Sequence, residues 1–209
     1  DHRDLHSFPT RRSSDLKYKK GENLMNHMTA ANLRSAFGGE SMANMRYKIW
    51  GKTALKEGFK NVARLFEAIS FAEEVHAGNH FKELEYVKGD YLVASQAGFG
   101  LTRTSENLQG AIDGENFEIE QMYPSYIAVA KEQGEKGGLL SFHYALEAEK
   151  IHSAMFTKAK QDVDKGKDMD LGDVQICTIC GHTVDGPIPE KCPICGVTHE
   201  LFVTFPKED

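Results

Sequence analysis

The chain contains no cysteine before Cys177, so no disulfide can staple the greater part of it. It also lacks any apolar run approaching the ~18–20 residues that a membrane-spanning helix needs, which excludes that architecture. A surplus of positive charge is missing too. Lys and Arg number 25 against 31 Asp and Glu, a net charge of -6, and nucleic acid is excluded as the main partner because phosphate binding needs a clustered basic excess. What is present is an ordinary globular composition, 40% hydrophobic and 27% charged. At 209 residues the chain can hold one ordinary domain and one small one, since domains commonly run ~100–200 residues.

The stretch Asp1–Leu16 (DHRDLHSFPTRRSSDL) has neither the apolar segment of a signal peptide nor a helical period. With cysteines arranged for metal and not for disulfides, a reducing compartment, the cytoplasm, is the expected location. The same stretch resembles the translation of a short-read sequencing adapter fused in frame, and residues 1–28 are set apart as an N-terminal extension, 1–16 being read as artefactual.

From Thr29 the pattern is helical. Leu33, Ala36, Phe37, Tyr47, Trp50 and Leu55 fall near a 3.6-residue period and predict a helix over 30–57. Thr29 is placed as its N-cap, Met28 and Leu33 as a hydrophobic staple, and Gly58 just past its end. Val62, Leu65, Phe66, Ile69, Phe81 and Leu84 predict a second helix over 61–85. The period is lost between Tyr86 and Arg103, a long crossover of the kind a ferritin-like bundle requires. A third helix follows over 105–132, bent by Pro124. The fourth runs from the Gly134–Gly138 turn to about Lys160. The predicted organisation is a mainly α ferritin-like four-helix bundle over 29–161, a polar linker over 162–173, and a small β/loop metal module over 174–209.

The second helix carries Glu73-Glu-Val-His76 and the fourth carries Glu149-Lys-Ile-His152, each projecting a carboxylate and an imidazole from one face. Alone, either motif is more often a solvated helix face with a chance histidine. Together they meet further carboxylates set among apolar residues, Glu40 in the first helix and Glu115 with Glu118 in the third. One Glu from each of two helices plus two E-x-x-H motifs is the ligand set of the ferritin-like di-metal carboxylate proteins. The reason is charge: carboxylates buried together without cations carry a cost of several kcal/mol per ion. Glu40, Glu73, Glu115 and Glu149 match the +4 of two ferrous ions, and Glu118 supplies a further anion for the ferric pair. Oxygen ligands favour iron or manganese over zinc or copper, and redox chemistry selects iron. His80, one turn after His76, is read as no ligand, and His143, His182 and His199 have no motif partner.

Cys177-Thr-Ile-Cys180-Gly and Cys192-Pro-Ile-Cys195-Gly form two thiolate knuckles. Four thiolates at this spacing indicate a tetrahedral metal site. Spacing leaves iron and zinc open, with iron favoured because a neighbouring redox cluster gives a one-electron carrier something to feed.

The segments Gly39-Glu-Ser-Met-Ala-Asn-Met-Arg-Tyr47, Ala72-Glu-Glu-Val-His76-Ala, Gly114-Glu-Asn-Phe-Glu118 with Met122-Tyr123-Pro124, and Ala148-Glu-Lys-Ile-His152 resemble the four helix motifs of the rubrerythrin family, and the cysteine knuckles resemble rubredoxin. That resemblance implies a di-iron site in which Glu73 and Glu149 bridge, Glu40 and Glu115 are terminal, and His152 is a permanent ligand. It further implies that His76 holds the second iron when reduced and Glu118 when oxidised, with Tyr47 and Tyr123 close by; as residues alone, both tyrosines read equally well as core aromatics. His182 stands where rubredoxins usually have Tyr. The implied activity is a peroxidase reducing hydrogen peroxide to water in oxidative-stress defence. Electrons would come through the four-cysteine iron from an NAD(P)H-dependent reductase or rubredoxin, in a head-to-tail homodimer that sets one chain's cysteine module near the other's di-iron site. The rival readings are a ferroxidase or oxygen-reducing protein, an iron-binding electron carrier without peroxidase turnover, and a bundle with a structural zinc ribbon that binds partners.

Overall fold

The computed structural model describes residues 25–207, so the reading of residues 1–16 lies outside the described residues. Among the described residues there are five α-helices: α1 (His27–Lys56), α2 (Lys60–Glu83), α3 (Thr104–Phe117), α4 (Tyr123–Glu132) and α5 (Lys136–Val163), with a π turn, Glu118–Met122, joining α3 to α4. They form the predicted bundle, α3 to α4 standing as its third member. Three short strands, β1 (Val174–Cys177), β2 (Thr183–Asp185) and β3 (Phe202–Phe205), make an antiparallel sheet in the order β2-β1-β3. No helix among the described residues is long and apolar enough to cross a membrane.

Two local expectations change. The first helix begins at His27, after Asn26, and Thr29 lies buried in its first turn. Asn26 is held across the bundle by Glu135, whose Oε1 accepts from its backbone N–H at 2.7 Å and its side-chain amide at 2.8 Å, while the Thr29 hydroxyl donates to Gln133 Oε1 at 2.7 Å. A tertiary partner thus displaces the local cap, and Met28, being exposed, makes no staple. The third helix is interrupted, not simply bent: Pro124 falls in the first turn of α4, where a missing N–H is tolerated, directly after the π turn. Such turns cluster at functional sites, and this one starts at Glu118.

The crossover runs in extended form along α1. Trp50 Nε1 donates to the Gly100 carbonyl at 2.9 Å, Ser35 Oγ to that of Ala94 at 2.8 Å, and the Arg34 guanidinium lies 4.1 Å from the Tyr91 ring centre. Gly38 and Gly39 leave room for it, since a Cβ at either would meet Val93 or Ser95 at 3.1 or 3.0 Å.

Buried apolar residues form two layers along the bundle axis. One gathers Leu33, Ala36, Met122, Tyr123 and Phe142; the other gathers Tyr47, Trp50, Leu65, Phe66, Phe156 and neighbours. The second layer continues into Met169, Leu171, Val174 and Ile176. The stretch after α5 is therefore packed against the bundle: Met169 and Leu171 turn inward and alternate with Asp168 and Asp170, a period of two.

Polar bonds fix that packing. Arg64 Nη1 donates to the carbonyls of Gly172 at 2.7 Å and Phe205 at 3.0 Å, and Nη2 to that of Leu171 at 2.8 Å. Asp168 accepts from the backbone N–H groups of Asn61 at 2.8 Å and Val62 at 3.2 Å, satisfying free donors at the start of α2. Arg64→Ala leaves one buried and two part-buried carbonyls without a charged donor and is expected to lower stability by about 2–4 kcal/mol in urea unfolding. A loss within about 0.5 kcal/mol, the range of ordinary surface changes, would show that the latch is incidental.

Candidate metal centre

Between the two apolar layers lies a polar one. Glu40 projects from α1, Glu73 and His76 from α2, Glu115 from α3, and Glu149 with His152 from α5, each at most 1% exposed. The three-residue spacing sets each Glu and His pair on one inward helix face. The donor atoms of Glu40, Glu73, His76 and Glu149 lie within 4.8 Å of one another, and so do those of Glu73, Glu115, Glu149 and His152. Glu73 and Glu149 belong to both quartets, so the arrangement describes two adjacent positions sharing two carboxylates. Glu118 lies outside both sets, half-buried at the head of the π turn.

Every donor is oriented by a neighbour. The Tyr47 hydroxyl donates to Glu115 Oε1 at 2.6 Å, and the Tyr123 hydroxyl donates to Glu40 Oε1. Both tyrosines are more than core aromatics: each pins one oxygen of a carboxylate, leaving Glu115 Oε2 and Glu40 Oε2 buried without a hydrogen-bond partner. Their phenols stay protonated, pushed well above the usual range by burial and then by the adjacent carboxylates. His76 Nδ1 lies 2.8 Å from Glu149 Oε1 and 3.0 Å from Glu73 Oε2; His152 Nδ1 lies 2.7 Å from Glu149 Oε2 and 3.3 Å from Glu73 Oε1.

The far side of each imidazole meets the cysteine module. His76 Nε2 lies 3.2 Å from the Cys180 carbonyl, and His152 Nε2 lies 2.8 Å from Thr183 Oγ1, whose own hydroxyl donates to the Gly181 carbonyl. Both acceptors take an N–H from Nε2, so Nδ1 is the nitrogen turned to the carboxylates: it carries a proton when no cation is bound and is the atom free to ligate a metal in its place, as in metal-ligating histidines held by a second hydrogen bond.

This acidic layer holds its charge through protons when no cation does. Glu40, Glu115 and Glu118 are pushed well above the ordinary carboxylate range, first by burial and then by one another and by Glu73 and Glu149. Burial alone would lower His76 and His152, but Glu149 and Glu73 outweigh it and carry them to about 10 and about 9. Burial would raise Glu149, yet the two imidazolium charges hold it below the ordinary range.

In the module, Cys177 and Cys195 Sγ lie 3.6 Å apart and Cys180 and Cys192 Sγ 3.5 Å apart. These separations are too long for a disulfide and near the ~3.8 Å edge of a tetrahedron with metal–sulfur bonds of ~2.3 Å. Gly181 and Gly196, at φ 76° and 78°, turn the chain after each knuckle. Gly181 has a second constraint, for a Cβ there would stand 2.1 Å from His76 Nε2. Asn79 closes the same contact by donating to the Ile179 carbonyl at 2.8 Å.

Comparison with known proteins matches these features. The rubrerythrin family model covers residues 31–160, and that of the rubrerythrin rubredoxin-like domain covers 175–203. The chain belongs to the rubrerythrin family. It is 50% identical over 180 residues to rubrerythrin-2 of Clostridium acetobutylicum, spanning 86% of this chain and 98% of that one. Nigerythrin of Nitratidesulfovibrio vulgaris is 32% identical over 177 residues, 85% of this chain and 86% of that one. A structure of nigerythrin in its fully reduced, all-ferrous state superposes with a TM-score of 0.75 at 30% identity, covering 88% of this chain and 90% of that one.

Of the candidate residues in this rubrerythrin, the structure brings together Glu40, Glu73, His76, Glu115, Glu149 and His152, and separately the four cysteines. His80 is no member of the cluster; it bonds Ser141 and Tyr123. His143 and His199 are exposed, whereas His182 is buried edge-on to Phe202 with Nδ1 unpartnered. Within the single chain, the cysteine module covers the acidic layer, and Arg64 and Asp168 anchor the segment leading to it. Sequence reading missed Thr183, Asn79 and the Cys180 carbonyl, since their role exists only across the interface; the one signal was Gly181.

Two outcomes follow. Stripped of metal, the folded protein keeps protons on Glu40, Glu115 and Glu118 that the unfolded chain loses above about pH 4.5, and on His76 and His152 that it loses above about 6.5. Because the folded state then binds more protons, stability falls as pH rises, until the imidazoles release theirs near 9 to 10. Melting of apoprotein at about pH 6 and about pH 9 should show the lower midpoint at the higher pH; the opposite order contradicts this proton inventory. Gly181→Ala should force the module off His76 at a cost of about 1–3 kcal/mol while the four-cysteine site still takes metal, read by thermal melting and metal content. Unchanged stability would mean the approach is looser than described.

Proposed function

We propose that this rubrerythrin is a non-haem di-iron peroxidase that reduces hydrogen peroxide to water in oxidative-stress defence. The observation that carries this is the pair of overlapping quartets sharing Glu73 and Glu149, sealed between apolar layers and touching a four-thiolate centre. The residues fit a metal pair: four carboxylates balance two divalent cations, Glu40 Oε2 and Glu115 Oε2 are buried and unpartnered, and the Nδ1 atoms of His76 and His152 both face the shared carboxylates. A ferrous pair held there supplies the two electrons that cleave the peroxide O–O bond.

The chain's own part is positioning and charge. Glu73 and Glu149 are the bridging ligands in this reading, Glu40 and Glu115 the terminal ones, and His152 a fixed one. His76 and Glu118 are assigned as alternative ligands in the reduced and oxidised protein; His76 within a quartet and Glu118 beside it support that assignment. Tyr47 and Tyr123 hold two carboxylates in place through phenols that keep their protons. The apolar layers exclude bulk water and strengthen every charge interaction inside.

Electrons are assigned to the four-cysteine centre, read as rubredoxin-type iron, and to a donor that is rubredoxin or an NAD(P)H-linked reductase. The Cys180 carbonyl against His76 Nε2 gives a short covalent and hydrogen-bonded path from a thiolate to the cluster. Family likeness also supports a cytoplasmic homodimer.

Stopped-flow mixing of the iron-loaded, reduced protein with peroxide and, separately, with oxygen tests the activity. Peroxide should oxidise it much the faster, with the red colour of oxidised rubredoxin-type iron appearing at the cysteine site. Faster oxidation by oxygen would favour a ferroxidase or oxidase, and a colourless, zinc-filled cysteine site would remove the electron route.

A further inference from the structure

His80 is fully buried on α2, one turn beyond His76, and the reading above gives it no role. Its ring packs between Phe142 and Tyr123, with centroids 5.5 and 5.9 Å away. Both nitrogens are engaged: Nδ1 lies 2.7 Å from Ser141 Oγ and Nε2 lies 3.0 Å from the Tyr123 hydroxyl oxygen. Tyr123 in turn meets Glu40. Four side chains from four helices thus form one hydrogen-bonded line from α5, through α2 and α4, to the acidic layer at α1.

The chemistry of the groups fixes the direction of that line once Glu40 binds a cation. An ionised carboxylate only accepts, so Tyr123 must donate its O–H to Glu40 Oε1. The phenol oxygen then accepts, which requires N–H at His80 Nε2. A neutral imidazole with hydrogen at Nε2 has a lone pair at Nδ1, so Ser141 must donate there. A neutral ring, buried between Phe142 and Tyr123, is therefore what the line demands. An imidazolium would offer donors on both sides and leave Ser141 to accept.

We infer that His80 is a positioning residue: held by Ser141 in its Nε2–H form, it fixes the Tyr123 hydroxyl on Glu40 Oε1 so that Glu40 Oε2 alone is presented to the metal. Glu40 Oε2 is the buried oxygen without a partner. Preorganisation of this kind matters because a ligand free to rotate loses the geometry that its neighbours build. The inference rests on Glu40 being a metal ligand.

The test uses 15N-histidine-labelled protein loaded with zinc, a diamagnetic stand-in for iron. Nitrogen NMR should show His80 neutral, with Nε2 protonated and Nδ1 not. The Nδ1–H form, or a charged ring, in protein holding two zinc ions at the acidic layer would overturn the proposal. Failure of the ligand reading shows differently, as zinc affinity unmoved by Glu40→Gln. In iron-loaded protein, His80→Leu and Tyr123→Phe should each slow peroxide oxidation about tenfold, and the double variant by no more than either alone, since both break one line. His80→Gln, which keeps a donor and an acceptor, should recover most of the rate. Multiplying losses in the double variant, or no recovery with Gln, would make His80 mere packing.

Discussion

Everything in this molecule is arranged around the cost of placing carboxylates in an apolar interior. Glu40, Glu73, Glu115 and Glu149 are at most 1% exposed, and such a group is tolerable only when cations or protons neutralise it. The bundle surrounds the layer with aromatic and aliphatic residues on both sides, so the charge is not relieved by water. The same dryness that makes the layer expensive gives a metal pair bound there well-defined ligands and strong local fields.

The cysteine module completes this layer and is more than an appendage. Its Cys180 carbonyl and Thr183 hydroxyl set the tautomers of His76 and His152, and hence which nitrogen faces the carboxylates. Arg64 and Asp168 hold the connecting segment along α2, and Met169 and Leu171 extend the bundle core into the module. Folding of the bundle, placement of the module and orientation of the ligands are therefore one problem, solved by contacts that no short segment encodes.

The helices and the buried carboxylate–histidine cluster were legible because periodicity and residue chemistry are local: the two E-x-x-H motifs, Glu40 and Glu115 could be read directly. Cross-chain geometry was not. The start of α1 followed Glu135 and Gln133, more than a hundred positions away, and Pro124 was accommodated by a π turn that its own sequence does not announce. Residues 162–173 read as a polar linker because their acidic residues mask the buried Met169 and Leu171. His80 was set aside as a ligand, and its link to Tyr123 needed α2 and α4 in place. The contact of the cysteine module with His76 and His152 was likewise out of reach, because it joins residues about a hundred and about thirty positions apart.

The most direct measurement is anomalous X-ray diffraction at the iron edge from crystals of protein loaded anaerobically with ferrous iron. The account predicts three peaks per chain: two about 3.5–4 Å apart flanked by Glu73 and Glu149, and a third among the four cysteine sulfurs. A single site in the bundle, or a pair bound away from Glu40 and Glu115, would contradict it.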